Sequence, residues 1–557
     1  MKDFSKEIKA YALKNALEFG KADQKRILPK LFQHGLEKEN IKTIAPLITK
    51  TVKEINKLPK PELEKEFRSF AQYIKEEKEQ KHELPELPNP SKNMVFRMAP
   101  YPSGALHIGN AKTYLLNALY AERYNAKLLL IMDDTIGSEE KQPIAESYSL
   151  IEEGFQWLSV NYEKPVIYKS DRLEIYYEYA EKLIEKGAAY VCHCSQEKLR
   201  KNRAMRKECE CRSLSIEEQK NRWKKMFNEK EGEAVLRIKT SMQHPNPAFR
   251  DRVLFKISDR PHPRTFKKYR VWPTLEMSWA IDDHLLGVTH IIRGNDLMIE
   301  TEMEKFIWDL FKWPHPVTIH VGLVTIKGIE AKISKSKAQK EIKSGEFGGW
   351  DDPRTWSLQS LRRRGIKPEA IKQFVKEIGL NKNDITIPID SLYSINRKLI
   401  DLEANRYFFV EEPMEIKVKN IPASIKNLKE VEIPIHPDKK ETRKVKFSDN
   451  FYLSKKDFQE YKGKEVRLLH LFNISLPLKE NSAYFTSSEN KELPKLQWVS
   501  SPIETEILMP DGKKIFGFSE KAIQNLKPDE VIQFERFGFC RFDSQKNKKY
   551  FFWFAHK

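Results

Sequence analysis

A strand, a helix and a second strand follow one another closely in this sequence, and that succession constrains the fold most. The segment NMVFRMAP (93–100) is short and apolar, and AKLLLIMDD (126–134) is a second apolar run that ends in two acids. Between them, Ile108, Leu115 and Leu119 have the spacing of one helix face. Parallel strands need a crossover connection, usually a helix. The pattern therefore predicts a βαβ unit on a parallel sheet.

The loop that joins the first strand to the helix reads APYPSGALHIGN (99–110). In βαβ sheets, ligands bind beyond the carboxyl ends of the strands, where helices begin. Pro100 and Pro102 stiffen this loop, and Gly104 permits a backbone turn that other residues resist. His107 stands at the helix start, where free N–H groups attract anions. The pattern predicts a site for a phosphate joined to a flat base, although on its own it also fits an ordinary strand-to-helix connection.

A basic segment, AKISKSK (331–337), lies far downstream of this loop. Its lysines Lys332, Lys335 and Lys337 stand together with Ser334 and Ser336. Lysine is a compact point charge that suits a triphosphate. The segment predicts a cationic clamp for phosphates, and an isolated stretch of this kind is equally explained as a solvated basic loop.

Length and charge limit the class of protein. A chain of 557 residues has room for several domains, and 40% hydrophobic residues suffice for buried cores. No apolar run approaches the ~20 residues of a membrane helix, and the N-terminus lacks the apolar core of a secretory signal. We therefore expect a cytoplasmic protein. The net charge of +19 favours an anionic partner such as nucleic acid, and a lysine-rich solvated surface explains it equally well.

Four of the five cysteines fall in one short stretch: Cys192, Cys194, Cys209 and Cys211. A cytosol keeps thiols reduced, so disulfides are not expected. Two close pairs of thiolates suit a structural zinc site, although the usual knuckle is C-x-x-C rather than C-x-C. The sequence predicts Zn²⁺ on these four cysteines. His193 and His244 are alternative ligands, and unligated thiols are the other interpretation.

The two ends of the chain differ in pattern. Residues 1–90 are rich in Lys and Glu, with apolar residues such as Ile48 and Ile55 at helical spacing, and LPELPNPS (84–91) is a linker. The tail consists of short alternating strands with turn signals such as the Asp-Gly pair at 511–512, which predicts antiparallel barrels. Its cationic and aromatic residues suit single-stranded loops of RNA, although we expect most of the aromatic rings to fill the barrels.

The loop at 99–110 and the basic segment together resemble the two signatures of class I aminoacyl-tRNA synthetases. HIGN departs from the usual form only at Asn110, where the family most often has histidine. Longer strings look like the glutamyl/glutaminyl-tRNA synthetase group, and its archaeal and eukaryotic branch in particular. These strings are RMAPYPSGALHIG, LLLIMDDT, AIDDHLLGVTHIIRGND, NPAFRD, WDDPRTWSLQSLRRRGIKPEAI and SINRKLIDLEANRYFFV. The resemblance covers residues 93–557 and is weak before them.

The resemblance implies a protein of α/β plus all-β class. Its implied parts are an N-terminal helical extension and linker (1–92), a Rossmann-type catalytic domain (93–340) with an acceptor-binding insertion (about 190–272), a helical stem-contact region (341–392) and anticodon-binding β-barrels (393–557). Such an enzyme joins an amino acid to the 3′ end of tRNA, uses ATP with Mg²⁺ and is expected to act as a monomer.

The implied reaction is attack of the substrate carboxylate on the α-phosphate of ATP, followed by acyl transfer to the terminal 2′-hydroxyl of tRNA. Neither step needs an enzyme nucleophile, so the protein orients the reactants and neutralises phosphate charge. The residues to which the resemblance gives a catalytic role are His107, Asn110, Lys332 and Lys335. Those expected to bind ATP are Pro102, Ser103, His107, Gly109, Asn110, Gly294, Ile333, Ser334 and Lys335. Those expected to bind the amino acid are Arg97, Ala99, Tyr101, Asp133, Trp279 and Arg293.

Glutamate is the expected amino acid. Arg293, in HIIRGND, matches an arginine that glutamyl enzymes use for the side-chain carboxylate, where glutaminyl enzymes carry an uncharged residue. A buried guanidinium binds a carboxylate bidentately and is left uncompensated by an amide. The resemblance also implies that Arg97 contacts the amino acid's carboxylate and Asp133 the α-ammonium. Leu275 departs from the family, since many relatives have a substrate-contacting tyrosine there.

Three alternatives stay open at this point. The first is a glutaminyl-tRNA synthetase, which Arg293 disfavours. The second is a non-catalytic tRNA-binding protein of the same fold, which the intact His107 and Lys335 disfavour. The third is an enzyme that glutamylates a modified tRNA base, and such relatives lack an anticodon-binding tail. The expected nucleic acid is tRNA(Glu), and the sequence does not distinguish an enzyme that also charges tRNA(Gln).

Overall fold

The computed structural model describes residues 3–75, 83–137, 142–328, 335–428, 430–446, 448–479 and 482–557. The chain divides into two compact units, Met1–Glu83 and Leu84–Lys557. The described part of the first unit contains the helices α1 (Ser5–Phe19), α2 (Gln24–Leu31), α3 (Ile41–Ile55) and α4 (Lys60–Phe70). Ile8, Leu13, Ile48 and Ile55 are buried in its core, so the helical apolar spacing seen in the sequence does form one packed face.

The second unit begins with a mixed α/β domain that carries an insertion. Its elements, in chain order, are β1 (Val95–Met98), α5 (Ile108–Arg123), β2 (Lys127–Met132), α6 (Ala145–Trp157), β3 (Glu163–Tyr168), α7 (Leu173–Glu185), β4 (Ala189–Cys192), α8 (Gln196–Met205), α9 (Ile216–Met226), β5 (Val235–Ile238), β6 (Val253–Ile257), β7 (Val271–Pro273), α10 (Leu275–Leu285), β8 (His290–Gly294), α11 (Met298–Phe311) and β9 (Val317–Val321).

Five of these strands form one parallel sheet in the order β3-β2-β1-β8-β9. The predicted βαβ unit is its centre: α5 crosses from β1 to β2, with Val95 opposite Lys127. The chain then builds outward to β3 and returns on the other side of β1 as β8. The order therefore reverses between β1 and β8, and the crevice beyond their carboxyl ends is where such sheets bind ligands.

A buried asparagine ties the helix of this unit to the returning strand. Asn117, in the middle of α5, donates from Nδ2 to the carbonyl of Ile292 (2.8 Å) and accepts the Ile292 N–H at 3.1 Å. Because both groups are buried, each would lose a hydrogen bond if the helix shifted along the sheet. The helix start is thereby fixed relative to the end of β8.

The insertion between β3 and β8 has a sheet of its own. Strands β4, β5, β6 and β7 pair antiparallel in that order, with α8 and α9 between β4 and β5. Its hydrophobic core includes Trp223, Leu236 and Phe255, all buried. After β9, β10 (Val324–Lys327) pairs in parallel with β11 (Ile385–Pro388). The helices that follow β10 are α12 (Lys335–Lys343), α13 (Leu358–Arg363), α14 (Pro368–Ile378) and α15 (Asp390–Ile400).

The C-terminal part is built from β-strands. Its elements are β12 (Arg406–Tyr407), β13 (Phe409–Glu411), β14 (Pro413–Lys419), α16 (Ala423–Lys426), β15 (Glu430–Pro434), β16 (Thr442–Lys446), β17 (Asn450–Ser454), α17 (Lys455–Tyr461), β18 (Glu465–Leu468), β19 (Asn473–Ser475), β20 (Ser482–Ser487), β21 (Lys495–Leu496), β22 (Ile503–Leu508), β23 (Lys514–Ser519), β24 (Val531–Phe534), β25 (Gly538–Lys546) and β26 (Lys549–His556).

Two nearly closed barrels result from these strands. One sheet has the order β12-β24-β25-β26-β22-β23-β13, and its two end strands are neighbours in the sequence, so the sheet curls round to meet itself. The other has the order β17-β14-β20-β19-β18-β21, and a bridge between Tyr452 and Val499 brings its ends together. The barrels are not purely antiparallel, because β12–β24, β14–β20, β18–β21 and β22–β26 pair in parallel. Among the described residues, no helix is both long enough and apolar enough for a membrane crossing.

Candidate active site

The helix start at His107 is held by a reciprocal pair of hydrogen bonds. His107 caps α5: its Nδ1 accepts the Asn110 N–H at 3.3 Å, and the Asn110 side-chain oxygen accepts the His107 N–H at 3.0 Å. This is a capping box, which satisfies two backbone donors that a helix start otherwise leaves unpaired. Asn110, the one departure from the usual four-residue motif, therefore has a definite structural task here.

His107 is a neutral hydrogen-bond donor in this arrangement. Burial, and then the nearby charge of Lys335, lower the pKa of His107 to about 3. Because Nδ1 accepts a hydrogen bond, the ring proton is assigned to Nε2. Both His107 and Lys335 were predicted from the sequence to neutralise phosphate charge. In this state the cationic part of that task falls to Lys335, and His107 offers an N–H.

The loop between β1 and α5 is fixed at several points. Gly104 has a φ of +148°, and a Cβ at this position would lie 2.2 Å from the Trp350 ring. The carbonyl of Pro102 accepts the Ile144 N–H at 2.8 Å, and the Ser103 N–H donates to Tyr101 O at 2.9 Å. Pro102 and Ser103, two of the residues expected to bind ATP, are thus on a loop whose course leaves no room for a side chain at Gly104.

The two sequence motifs meet in space. Lys335, the first residue of α12, donates from Nζ to the carbonyl of Tyr101 at 3.3 Å, and its charge also acts on His107. Gly109 lies next to the imidazole, since a Cβ there would be 3.2 Å from the His107 ring. The remaining motif residues expected to act on ATP, Lys332, Ile333 and Ser334, lie outside the described residues.

Three cations surround one indole at the carboxyl ends of β1 and β8. The Cζ atoms of Arg97 and Arg293 lie 4.9 Å and 4.7 Å from the centre of the Trp279 ring, and Lys169 Nζ lies 4.7 Å from it. All four side chains are buried. The structure therefore brings together Arg97, Trp279 and Arg293, which the sequence assigned to amino-acid binding, and adds Lys169.

Each of these cations is paired with an acid. Arg97 forms a bidentate ion pair with Asp283, with Nη2 3.0 Å from Oδ2. Lys169 Nζ lies 2.9 Å from Asp133 and donates to Ser278 Oγ at 2.9 Å. Arg293 donates to both oxygens of Glu304 at 2.9 and 2.8 Å. Arg97, Asp133 and Arg293 were predicted from the sequence, whereas Lys169, Asp283 and Glu304 were not. Asp283 stood in a visible clue, the acidic pair of AIDDHLL, whereas Lys169 and Glu304 had no local signal.

The two neighbouring acids at the end of β2 have different tasks. Asp134 accepts hydrogen bonds from Tyr148 Oη (3.0 Å), from the Ser170 N–H (2.8 Å) and from Ser170 Oγ (2.7 Å). The Asp134 carboxylate is therefore engaged in structural hydrogen bonds. Asp133 is the acid that contacts one of the three cations around Trp279, namely Lys169. The other expected residues lie close by: Ala99 and Tyr101 in the loop after β1, and Gly294 at the end of β8. Leu275, half-buried, is the first residue of α10.

The four clustered cysteines converge in the insertion. Their Sγ atoms all lie within 4.8 Å of one another, and Cys192 and Cys209 are 3.7 Å apart. Tetrahedral Zn–S bonds of ~2.3 Å place sulfurs about 3.8 Å apart, so the donor set fits zinc. His193 Nε2 instead pairs with Glu229 at 2.9 Å, and His244 bonds to the backbone of Asn246. The alternative histidine ligands are therefore engaged elsewhere.

Comparison with known proteins defines the class to which this fold and site belong. The family description "tRNA synthetases class I (E and Q), catalytic domain" matches residues 93–402, and two anti-codon binding domains of the same family match residues 404–485 and 486–543. The chain belongs to this family, and the family and fold class predicted from the sequence are confirmed.

Individual relatives cover the whole chain. It is 42% identical to the glutamate--tRNA ligase of Pyrococcus abyssi over 98% of both chains, and 43% identical to that of Pyrococcus horikoshii over 100% of both. It is also similar to the crystal structure of a glutamate tRNA ligase from Elizabethkingia meningosepticum in complex with its amino acid. That likeness has 20% identity and a TM-score of 0.41, and covers 56% of this chain and 70% of the other.

Proposed function

We propose that this chain activates L-glutamate with ATP and transfers it to the 3′ end of tRNA(Glu). The observation that carries the proposal is the meeting of Arg97, Arg293 and Trp279 at the carboxyl ends of β1 and β8, in the domain where Lys335 reaches the loop before His107. Full-length relatives named glutamate--tRNA ligase support the choice of amino acid.

The chemistry follows from these positions. The glutamate α-carboxylate attacks the α-phosphate of ATP, which forms glutamyl-adenylate and releases pyrophosphate. A terminal ribose hydroxyl of tRNA then attacks the acyl carbon; the new ester bond replaces the acyl–phosphate bond, and AMP leaves. Neither step needs a nucleophile from the protein. Lys335 supplies positive charge and His107 an N–H toward the phosphates, where preorganised donors stabilise the charge that develops in the transition state. Mg²⁺ accompanies ATP as its counter-ion.

Arg293 is the residue proposed to choose glutamate over glutamine. The single variant Arg293→Gln would leave the buried Glu304 carboxylate without an ion-pair partner, which destabilises the fold for a reason unrelated to specificity. We therefore pair it with Glu304→Gln, which removes both charges, and use Glu304→Gln alone as the matched control. When the ligand loses its ion-pair partner, the cost is ~2–5 kcal/mol of binding free energy. This corresponds to a loss of at least about 30-fold in affinity at ~1.4 kcal/mol per decade.

The double variant is expected to lose at least about 30-fold in kcat/KM for glutamate relative to the control, while the inhibition constant of glutamine stays the same or falls. Equal losses for both amino acids would mean that Arg293 is structural. A charging assay with purified tRNA(Glu), and ATP–pyrophosphate exchange measured with tRNA present, separate this function from a non-catalytic tRNA-binding role.

The nucleic-acid side of the proposal rests on the barrels. Their family descriptions name anti-codon binding, and the basic chain suits a polyanion. We propose tRNA(Glu) as the substrate of a monomeric, cytoplasmic enzyme. Parallel charging assays with purified tRNA(Glu) and tRNA(Gln) decide whether the second tRNA is used as well.

The cysteine cluster is proposed to hold one structural Zn²⁺. Its ligands would be Cys192, Cys194, Cys209 and Cys211, whose mutual distances suit a tetrahedral ion. The guanidinium of Arg237 lies 3.8 Å from Cys192 Sγ and 3.9 Å from Cys209 Sγ, and such a positive group favours thiolates over thiols. The ion would fix the two cysteine-bearing segments around α8 within the insertion.

A further inference from the structure

Glu304, the acid that pairs with Arg293, contacts only the end of the guanidinium, which carries Nη1 and Nη2. Glu304, on α11, accepts from Nη1 at 2.9 Å and from Nη2 at 2.8 Å, and Thr301 Oγ1 accepts a second bond from Nη1 at 3.0 Å. Arg293 is 3% and Glu304 0% exposed. The end of the guanidinium is therefore fully used, in a bidentate contact that fixes the plane of the group.

The other edge of the same guanidinium carries donors without acceptors. Nε and the second proton of Nη2 lie side by side there. Within the described part of the chain, Arg293 Nε has no hydrogen-bond partner, and neither has the indole Nε1 of Trp279, whose ring centre lies 4.7 Å from Arg293 Cζ. Buried donors of this kind are rare in folded proteins. A ligand carboxylate that docks on this edge would accept from Nε and Nη2 while Glu304 keeps its own contact.

A ligand carboxylate on Arg293, in addition to the Glu304 carboxylate, would give the site an uncompensated negative charge. The pairs Arg293–Glu304, Arg97–Asp283 and Lys169–Asp133 are each neutral when ionised. Glutamate brings two carboxylates and one ammonium, and hence one net negative charge. In a buried, low-dielectric region such a charge is strongly disfavoured unless a proton or a cation accompanies it.

We propose that Glu304 is a positioning residue that holds Arg293 by its end and takes up one proton from solvent when the side-chain carboxylate of glutamate docks on the other edge. The inference rests on the proposed role of Arg293 in reading glutamate. It makes the preference for glutamate over glutamine depend on pH, because glutamine brings no second carboxylate and requires no proton.

The groups that surround Glu304 are compatible with uptake of a proton by its carboxylate. The charged and titratable groups near it come from β1, β8, β9 and α10: Arg97, Arg293, His320 (through Thr301) and Asp283. Burial raises the pKa of Glu304 to about 7, against the opposing pull of Arg293. A second carboxylate on the same guanidinium raises the pKa further. The protonated form, favoured below neutrality, is then the one that binds glutamate best, and glutamate binding weakens as the pH rises above the pKa of the free protein.

The test is a pH profile of the full-length enzyme with purified tRNA. The KM for glutamate is measured together with the inhibition constant of L-glutamine, which cancels groups that affect both amino acids alike. Between about pH 6 and about pH 8, the preference for glutamate is expected to fall by up to about tenfold, the effect of one proton with a pKa near 7. Glu304→Gln, which keeps an acceptor for Arg293 but cannot titrate, should give a flat ratio. Thr301→Ala is the matched control that loses a bond to Arg293 and keeps the pH dependence.

The outcomes separate the two proposals. The first outcome needs no variant. If the preference of the wild-type enzyme for glutamate over glutamine does not change with pH, the proposed role of Glu304 is wrong, and the proposed role of Arg293 in recognising glutamate is unaffected. A pH-dependent ratio that persists in Glu304→Gln would also overturn it. If the Arg293→Gln/Glu304→Gln enzyme prefers glutamate as strongly as Glu304→Gln does, the role of Arg293 itself fails, and the proton exchange fails with it.

Discussion

Replacing Gly104 by alanine tests whether the loop before His107 has only one permitted course. Two costs arise. A residue with a side chain at φ +148° is strained by about 1–3 kcal/mol. The new Cβ would also lie 2.2 Å from Cη2 of Trp350 and 2.8 Å from two further ring atoms, and overpacking of this kind costs about 1–3 kcal/mol. Trp350 cannot simply turn away, because it is buried and its Nε1 donates to Glu146 at 2.8 Å.

Together these costs amount to ~2–6 kcal/mol. The loop is tied to the start of α6 by the Pro102–Ile144 backbone bond and to the end of β2 by the Pro100–Asp133 bond. We therefore expect the strain to be relieved by a local shift of the loop that carries His107 out of place. A loss of about 2 kcal/mol in transition-state stabilisation corresponds to about 30-fold at ~1.4 kcal/mol per decade. Gly104→Ala is therefore expected to lower kcat/KM for ATP in tRNA charging by at least this factor.

The controls distinguish the loop geometry from a general effect of alanine. Gly348→Ala is the matched variant, since a Cβ at Gly348 meets nothing within 4 Å, and it should charge at the wild-type rate. Adding Trp350→Leu to Gly104→Ala removes the overlapping ring atoms but leaves the backbone strain. The loss of kcat/KM that Gly104→Ala causes, measured against Trp350→Leu alone, is therefore expected to be smaller than the loss it causes in the wild-type enzyme. Gly104→Ala activity within about threefold of wild type would refute the reasoning.

Two further predictions concern the phosphate clamp and the metal. Lys335→Ala should lower the charging rate by ~10²-fold or more, the scale of one strong transition-state donor, with little change in the KM for glutamate. Lys340→Ala, an exposed lysine later in α12, is its control, and equal rates for the two variants would contradict the assignment. Metal analysis of fresh protein should find one zinc per chain. Cys194→Ser should lose it while Cys540→Ser, a buried cysteine of the barrel, keeps it; zinc retained by Cys194→Ser would exclude that ligand.

Local patterns made the centre of the fold predictable. The βαβ unit depends on period-2 and period-3.6 spacing within one segment, and both forms of spacing can be read without knowing the rest of the chain. The cysteine cluster was predictable for a similar reason, since two close pairs limit where the sulfurs can be. The parallel pairs of the barrels were not, because alternation tells which face of a strand is buried and not which strand lies next to it.

Asn110 shows how a departure from a motif becomes intelligible in three dimensions. In the sequence it is a residue of the wrong type at a position assigned to catalysis. In the structure its oxygen accepts the His107 N–H, and its own N–H donates to the His107 ring. Asparagine is a good partner in such a cap because a short side-chain oxygen reaches back to the backbone. Its catalytic role stays a prediction, and its structural role is independent of it.

Asp283 and Glu304, unlike Asp133, were not predicted, because the sequence motifs indicate groups that meet the substrate and not the acids that pair with buried cations. Arg97, Lys169 and Arg293 are buried, and a buried cation without a counter-charge is too costly to keep. Each one therefore requires an acid whether or not it touches a ligand. That requirement is general, but the partners are set by the fold: Arg97 and Asp283 are 186 positions apart in the chain. Burial predicts that such acids exist, and the return of the chain beside β1 decides which residues they are.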